Sequence, residues 1–208
     1  MNSKKDFDKP LLLDIGCGKN KLSRPGYKII GIDIWENSDA DLIIPANKLP
    51  FDNESVDVIH TRHFLEHFTY NETVDLFSEF FRVLKPKSKL EIIVPHVSCI
   101  AAFQDPTHKA FFTKRSFYKY QHTGFSVKNI EFFWFRNPYK GWFPFLVYPI
   151  NKLLNTFHGL ERFASIIGGI YELQCVMEKD QLELDFLHTP GAKPVSYTHL
   201  TLPTKRIV

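Results

Sequence analysis

The chain lacks most of the features by which secreted, membrane-spanning or nucleic-acid-binding proteins are recognised. Its three cysteines, Cys17, Cys99 and Cys175, are far apart and odd in number, with no Cys-x-x-Cys pair. That spacing argues against a disulfide framework and against a thiolate zinc cluster, and it suits a reducing cytoplasmic setting. No run of roughly 18 apolar residues occurs, so no spanning helix is expected. The opening Met1-Asn-Ser-Lys-Lys-Asp-Phe-Asp-Lys-Pro10 has no apolar centre and does not read as a signal peptide. Charge of one sign is scarce too. A formal balance of +3 is too mild for a nucleic-acid partner, which asks for a concentrated basic patch. Lys85, Lys87 and Lys89 stand close together but border a turn, and they read as solvated.

What is present is enough apolar material, 44% of 208 residues, for one globular core. Two apolar runs organise it. Leu11-Leu12-Leu13-Asp14-Ile15 leads into Gly16-Cys17-Gly18, and Lys28-Ile29-Ile30-Gly31-Ile32 ends in Asp33. Each reads as a buried parallel strand, the first feeding a tight glycine turn and the second carrying a carboxylate at its tip. A carboxylate there can accept hydrogen bonds from both hydroxyls of a ribose. The third glycine of a dinucleotide fingerprint is missing, because Lys19-Asn20-Lys21 follows the turn. Only a short segment containing Pro25-Gly26 then precedes the next strand, which leaves little room for a phosphate-binding helix. S-adenosylmethionine (SAM) carries no phosphate and needs only close passage of the loop. Two other readings stand beside a SAM enzyme: an NAD(P)-dependent oxidoreductase, which the missing glycine disfavours, and a non-catalytic SAM-binding module.

Asp14-Ile-Gly-Cys-Gly18, Asp33, Lys48-Leu-Pro-Phe-Asp-Asn-Glu-Ser-Val-Asp-Val-Ile59, Phe64-Leu-Glu-His67 and Phe81-Arg-Val-Leu-Lys-Pro86 follow one another in order. Together they resemble the class I SAM-dependent methyltransferases, and within them the type 11 methyltransferase-domain group, from about Lys9 to Lys179. A narrower resemblance, to a subgroup with a PTHKxFF signature, lies in Val94-Pro-His96 and Asp105-Pro-Thr-His-Lys-Ala-Phe-Phe112. The resemblance implies an α/β fold with a Rossmann-like sheet of about seven strands, mostly parallel, the antiparallel last strand inserted between the fifth and sixth. It implies SAM as cofactor. It also implies that Asp14, Gly16, Cys17, Gly18, Asp33 and Ile34 face that cofactor, that Ala46, Asn47 and Leu49 lie at its adenine edge, and that His63 sits beside the sulfonium.

Strands are expected at Leu11–Ile15, Lys28–Ile32, Ala40–Ile44, Val56–Ile59, Leu90–Val94, Val127–Phe135 and Tyr171–Glu178. A helix is expected from Leu65 to Leu84, with Leu65, Phe68, Val74, Phe77, Phe80, Phe81 and Leu84 as core and Lys85-Pro86 as its stop. A short helix is expected over Thr113–Gln121. The methyltransferase domain spans residues 10–180, after a tail of residues 1–9 and before an extension of 181–194. Residues 195–208 begin Val-Ser-Tyr-Thr-His-Leu-Thr-Leu-Pro-Thr and resemble a translated sequencing adapter, so they are expected to be non-native and without function. Residues 137–169 form an insertion before the last strand. It reads as a lid or acceptor wall, as helices packed on the sheet edge, or, through the apolar stretch 142–167 with Lys152 and Arg162, as a peripheral membrane contact.

For an oxygen acceptor a general base helps, and histidine suits that role near neutral pH. His108, with Asp105 three residues earlier to orient it, is the first candidate and His96 the second. His67 shares a helix face with His63 and reads as structural. The histidines lack clear ligand spacing, so no metal is expected. The Asn/Asp-Pro-Pro-Tyr element of enzymes that methylate adenine or glutamine amino groups is absent, Thr61-Arg62-His63-Phe64 standing in its place. That absence argues against such amino acceptors, and the family resemblance implies instead oxygen on a small molecule or saccharide precursor.

Overall fold

Strand β1 (Leu11–Ile15) lies parallel to β2 (Lys28–Asp33) on one side and to β4 (Val56–Arg62) on the other. The short β3 (Leu42–Ile43) pairs with β2, and β5 (Leu84–Pro95) follows β4. The strand β7 (Glu172–Lys179) then runs antiparallel between β5 and β6 (Phe125–Phe133). The sheet order is thus β3-β2-β1-β4-β5-β7-β6. This is the mostly parallel seven-stranded α/β sheet expected, with the last strand inserted antiparallel. The computed structural model describes residues 9–181, except the side chains of residues 165 and 167. The expected N-terminal tail and both C-terminal segments, 181–194 and 195–208, fall outside the described residues but for 9 and 181.

Side chains alternate across the sheet. Leu13, Ile15, Ile59, Leu90 and Ile92 join Phe77 and Phe80 of helix α1 (Tyr70–Val83) in one core. Leu12 and Val58 are buried outside that cluster. The connection from β1 to β2 crosses their face of the sheet: Leu22 N–H donates to Asp14 at 2.7 Å, and Arg24 forks onto Glu91. No helix joins β1 to β2, β2 to β3 or β3 to β4 among the described residues. A layer of helices is therefore built on one side only.

Several elements differ from their sequence-based bounds. The long helix begins later, because a capping box divides it: Thr69 accepts from Glu72 N–H while the Glu72 carboxylate accepts from Thr69 N–H at 2.6 Å. Leu65–His67 before it is one 3₁₀ turn. The strand β5 starts at Leu84, straight after α1. Val56 stands opposite Leu84 but Val58 opposite Lys89, so the residues between bulge outward. Pro86, with no N–H to pair, sits in that bulge. Lys85 is tied down there rather than free in solvent, its ammonium 2.6 Å from Asp57. β4 runs on to Arg62, β3 shrinks to two residues, and β6 begins and ends two residues earlier than expected. The expected Thr113–Gln121 helix narrows to α3 (Lys114–Tyr118), after the short α2 (Ala101–Gln104).

The insertion forms α4 (Pro144–Thr156) and a 3₁₀ stretch, His158–Ile167. It packs through Val147, Leu154 and Ala164. Asn155 clamps the outer side of β6, accepting from Phe132 N–H at 2.7 Å and donating to Phe132 C=O at 2.8 Å, and Asn151 accepts from Trp134 N–H at 2.8 Å. No helix among the described residues is long and apolar enough to cross a membrane. Asn155→Ala removes both partners of the Phe132 peptide groups. It is expected to cost about 1–3 kcal/mol, read as a lower urea midpoint at unchanged slope.

Candidate active site

The glycine turn after β1 is fixed by steric limits. Gly16 adopts φ 71°, and a Cβ on it would stand 2.4 Å from the Phe64 ring, so no other residue fits. Gly18 N–H donates to one Asp33 oxygen and Trp35 N–H to the other, at 2.8 and 2.9 Å. Each carboxylate oxygen keeps a further lone pair for a ligand. A cavity of about 470 Å³ opens here, beyond the carboxyl ends of β1 and β2. Gly16, Asp33, Ile34, Ala46, Asn47 and His63 line it, as do Phe64 and Phe68, which were not foreseen as cofactor contacts. Asp33, Glu72 and Asp75 give its wall three carboxylates against no lysine or arginine.

Four residues expected at the cofactor stand behind this wall. Asp14 is buried and turned to the face opposite the core, where it accepts from His60 at 2.9 Å and from Leu22 N–H. It braces the loop from beneath. Gly18 contributes through its bond to Asp33 rather than as lining. Leu49 is buried and donates its N–H to Glu79 at 2.6 Å. Burial, reinforced by Asp14 and Asp33, pushes the Cys17 thiol up to about 11, so it stays neutral and is no nucleophile.

A second cavity of about 630 Å³ adjoins the first, and His63 and His67 line both. His63 has a positive φ of 50°, an uncommon conformation for a residue with a Cβ. Its Nε2 lies 3.0 Å from Glu172 and its Nδ1 3.4 Å from Glu66. Burial pulls the imidazole pKa down, but the hydrogen bond to Glu172 and the nearby carboxylates of Glu172 and Glu66 outweigh it, and the net direction is up. Glu172 is fully buried. It also accepts from Arg62 at 2.8 Å and from Asn137 N–H at 3.0 Å. Burial raises its pKa, but these donors more than offset that and hold it below the usual carboxylate value.

His108 lines the second cavity. Its Nδ1–H donates to Ala102 C=O at 2.8 Å, which leaves Nε2 as a lone pair in the neutral ring. Asp105 does not orient it, contrary to expectation. The Asp105 carboxylate accepts instead from Thr107 N–H and Thr107 Oγ–H, at 2.8 and 2.7 Å, in a local turn of its own loop. Thr107 Oγ in turn accepts from His67 Nδ1–H at 3.0 Å. His96 lines neither cavity: it is buried, with Nε2–H on Glu161 at 2.9 Å and Nδ1 accepting from Ser98. Both of its ring nitrogens are engaged in tying β5 to the insertion. No residue of 137–169 lines either cavity, although Arg136 and Tyr171 at its two ends line the second.

Residues 13–92 match the family described as "Methyltransferase domain". No curated protein matches the chain. Among solved structures, a SAM-dependent methyltransferase from Archaeoglobus fulgidus shares 22% identity over 83% of this chain and 87% of that one, with a TM-score of 0.62. Haemonchus contortus phosphoethanolamine N-methyltransferase 2, solved with S-adenosyl-L-methionine, shares 18% over 83% of this chain and 49% of that one, at 0.56. A SAM-dependent methyltransferase from Methanosarcina mazei shares 16% over 85% and 94%, at 0.55. At these identities the likeness is one of fold.

The buried Glu172 carboxylate makes a prediction about acid. A depressed pKa means that its stabilisation is present above the ordinary value of 4.5 and is lost as pH falls through the folded value. Glu172→Gln is expected to cost about 3 kcal/mol at pH 7. That figure takes the low end for a broken buried pair, since Arg62 is partly exposed. Urea denaturation from pH 7 to pH 3 should show the gap between wild type and variant closing below 4.5. A gap independent of pH would refute the ionised pairing.

Proposed function

We propose that this SAM-dependent methyltransferase, whose residues 13–92 match the methyltransferase domain, transfers methyl to oxygen on a small molecule or saccharide precursor. One observation carries the reading: two cavities meet at His63 and His67, one of about 470 Å³ walled by Gly16, Asp33 and further carboxylates, the other lined by an imidazole with an open nitrogen. The residues present fit SAM. Gly16 leaves free the space that a Cβ would fill, Asp33 offers carboxylate lone pairs, and the acidic wall without lysine or arginine suits a cationic sulfonium. The same wall disfavours the pyrophosphate of a dinucleotide, and with it an oxidoreductase.

When bound, SAM supplies an electrophilic methyl group that leaves sulfur for the acceptor oxygen, the S–C electron pair staying on sulfur as a thioether. The chain's own contribution is position and a proton sink. Asp33 and the glycine turn hold the cofactor side, and His63 stands at the junction. His108, pinned by Ala102, takes the hydroxyl proton on Nε2 as the oxygen–carbon bond forms. His96 acts at one remove, by fixing Glu161 and the insertion.

Calorimetry of the full chain with SAM, its demethylated product and NADH tests the cofactor. Saturable binding of the first two is expected, lost in Asp33→Ala, with NADH silent. A folded protein that does not bind SAM overturns the reading. SAM binding without methylation of any hydroxyl acceptor in a broad panel would leave a SAM-binding module instead.

The insertion also bears on location. Trp142, Phe145, Tyr148, Phe157, Phe163 and Ile166 are exposed, beside the exposed cations Lys140, Lys152 and Arg162. That combination suits peripheral contact with an anionic lipid surface. Sedimentation with phosphatidylglycerol vesicles is expected, and Phe145→Ser with Ile166→Ser should abolish it. Equal sedimentation of wild type and double variant would exclude the contact.

A further inference from the structure

The 3₁₀ turn that joins β4 to α1 buries a carboxyl group to which the described residues donate no hydrogen bond. Glu66 is 1% exposed, and neither of its carboxylate oxygens accepts a hydrogen bond. His63 Nδ1 lies 3.4 Å from Oε1 but without hydrogen-bond alignment. A buried carboxylate oxygen with no hydrogen-bond donor is unfavourable. Such a group calls for an explanation in a native fold.

Two imidazoles supply one. The ligand atoms of Glu66, His67 and His108 all lie within 4.8 Å of one another, with His108 Nε2 at 4.0 Å from Glu66 Oε1. Their outer nitrogens are fixed in a way that presents the inner ones. His108 donates Nδ1–H to Ala102 C=O. Thr107 Oγ gives its proton to Asp105, so it accepts from His67 Nδ1–H. Both rings therefore keep Nε2 as a lone pair when neutral. Imidazoles whose far N–H is anchored to a carbonyl or a hydrogen-bonded hydroxyl are the usual form of a metal-ligating histidine. All three residues line the second cavity.

We infer that Glu66, His67 and His108 form a binding site for a divalent transition-metal ion. Two nitrogens and one carboxylate oxygen suit Zn²⁺, Fe²⁺ or Mn²⁺, with the remaining coordination positions open to the cavity. Metal–ligand bonds of about 2.0–2.2 Å set neighbouring ligand atoms roughly 3–3.5 Å apart, so the rings have to close by about 1 Å. Sequence spacing hides the site, since Glu66 and His67 are adjacent and His108 lies on a distant loop.

The site itself does not depend on the methyl-transfer reading, but its use does. His67 also lines the cofactor cavity, so an oxygen held on the cation would stand where the two cavities join. A bound cation lowers the pKa of an oxygen ligand. With the cation bound, His108 serves as its ligand and the acceptor hydroxyl gives its proton to water; the base role of His108 is that of the metal-free chain.

The test is calorimetric titration of the chelator-stripped full chain with Zn²⁺ and with Mn²⁺, with SAM titrated into parallel samples. One saturable metal site is expected. Glu66→Gln and His108→Ala should each weaken Zn²⁺ by more than about tenfold, given that even an outer partner of a metal ligand is worth 10–100-fold. His122→Ala, a surface histidine outside the cluster, should leave the affinity unchanged. Thermal melting verifies that each variant is folded, and two separate variants guard against one that is not. A folded wild type that binds neither ion overturns the inference, as does binding that both variants leave intact. SAM binding without metal binding would sink this site alone, whereas metal binding without SAM binding would sink the function and spare the site.

Discussion

Glu172 holds the functional end of the sheet together. Its carboxylate is fully buried at the start of β7, where an ion is unfavourable unless it is closely paired. Arg62 at the end of β4, His63 just beyond it and the N–H of Asn137 at the start of the insertion all point at it. One charge thus fixes three segments that are remote in the chain. It also keeps His63 in its positive-φ conformation, and that residue forms the partition between the two cavities.

The charge pattern around that partition matches the chemistry. The first cavity carries three carboxylates and no lysine or arginine, and the second adds His108 and Arg136 to the His63 and His67 that both share. A sulfonium donor is cationic and its product is neutral, so an acidic wall favours the charged donor over the spent cofactor. In the proposed transfer to oxygen a proton has to leave the acceptor, and histidines whose outer nitrogens are locked offer a fixed geometry for receiving or directing it.

Much of the fold was legible because it rests on local pattern. The apolar runs that end in Asp14 and Asp33, the glycine turn and the aromatic stripe through Phe77 and Phe80 all read correctly from spacing alone. The break at Thr69 was written in the sequence as Thr-x-x-Glu, but the apolar periodicity continues across it and masks the cap. Pairings across strands were another matter. The register that sets Asp14 opposite His60 cannot be read without the sheet, so its bonds to His60 and to the Leu22 N–H could not be foreseen. Glu172 could not be singled out either, because its partners come from the end of β4 and the start of the insertion. The Asp105–His108 pairing failed for a local reason: a carboxylate two residues before a threonine bonds its own loop first.

The two asparagines on α4 bear on how the molecule behaves among copies of itself. An open sheet has two edges, each a row of peptide groups that could pair with a strand from a neighbouring chain and seed aggregation. On one side β3 is only two residues long, too brief to template a partner. On the other, β6 is long, but Asn155 and Asn151 occupy the outward groups of Phe132 and Trp134. The insertion that carries the protein's largest greasy surface is thereby also the guard on its most adhesive edge.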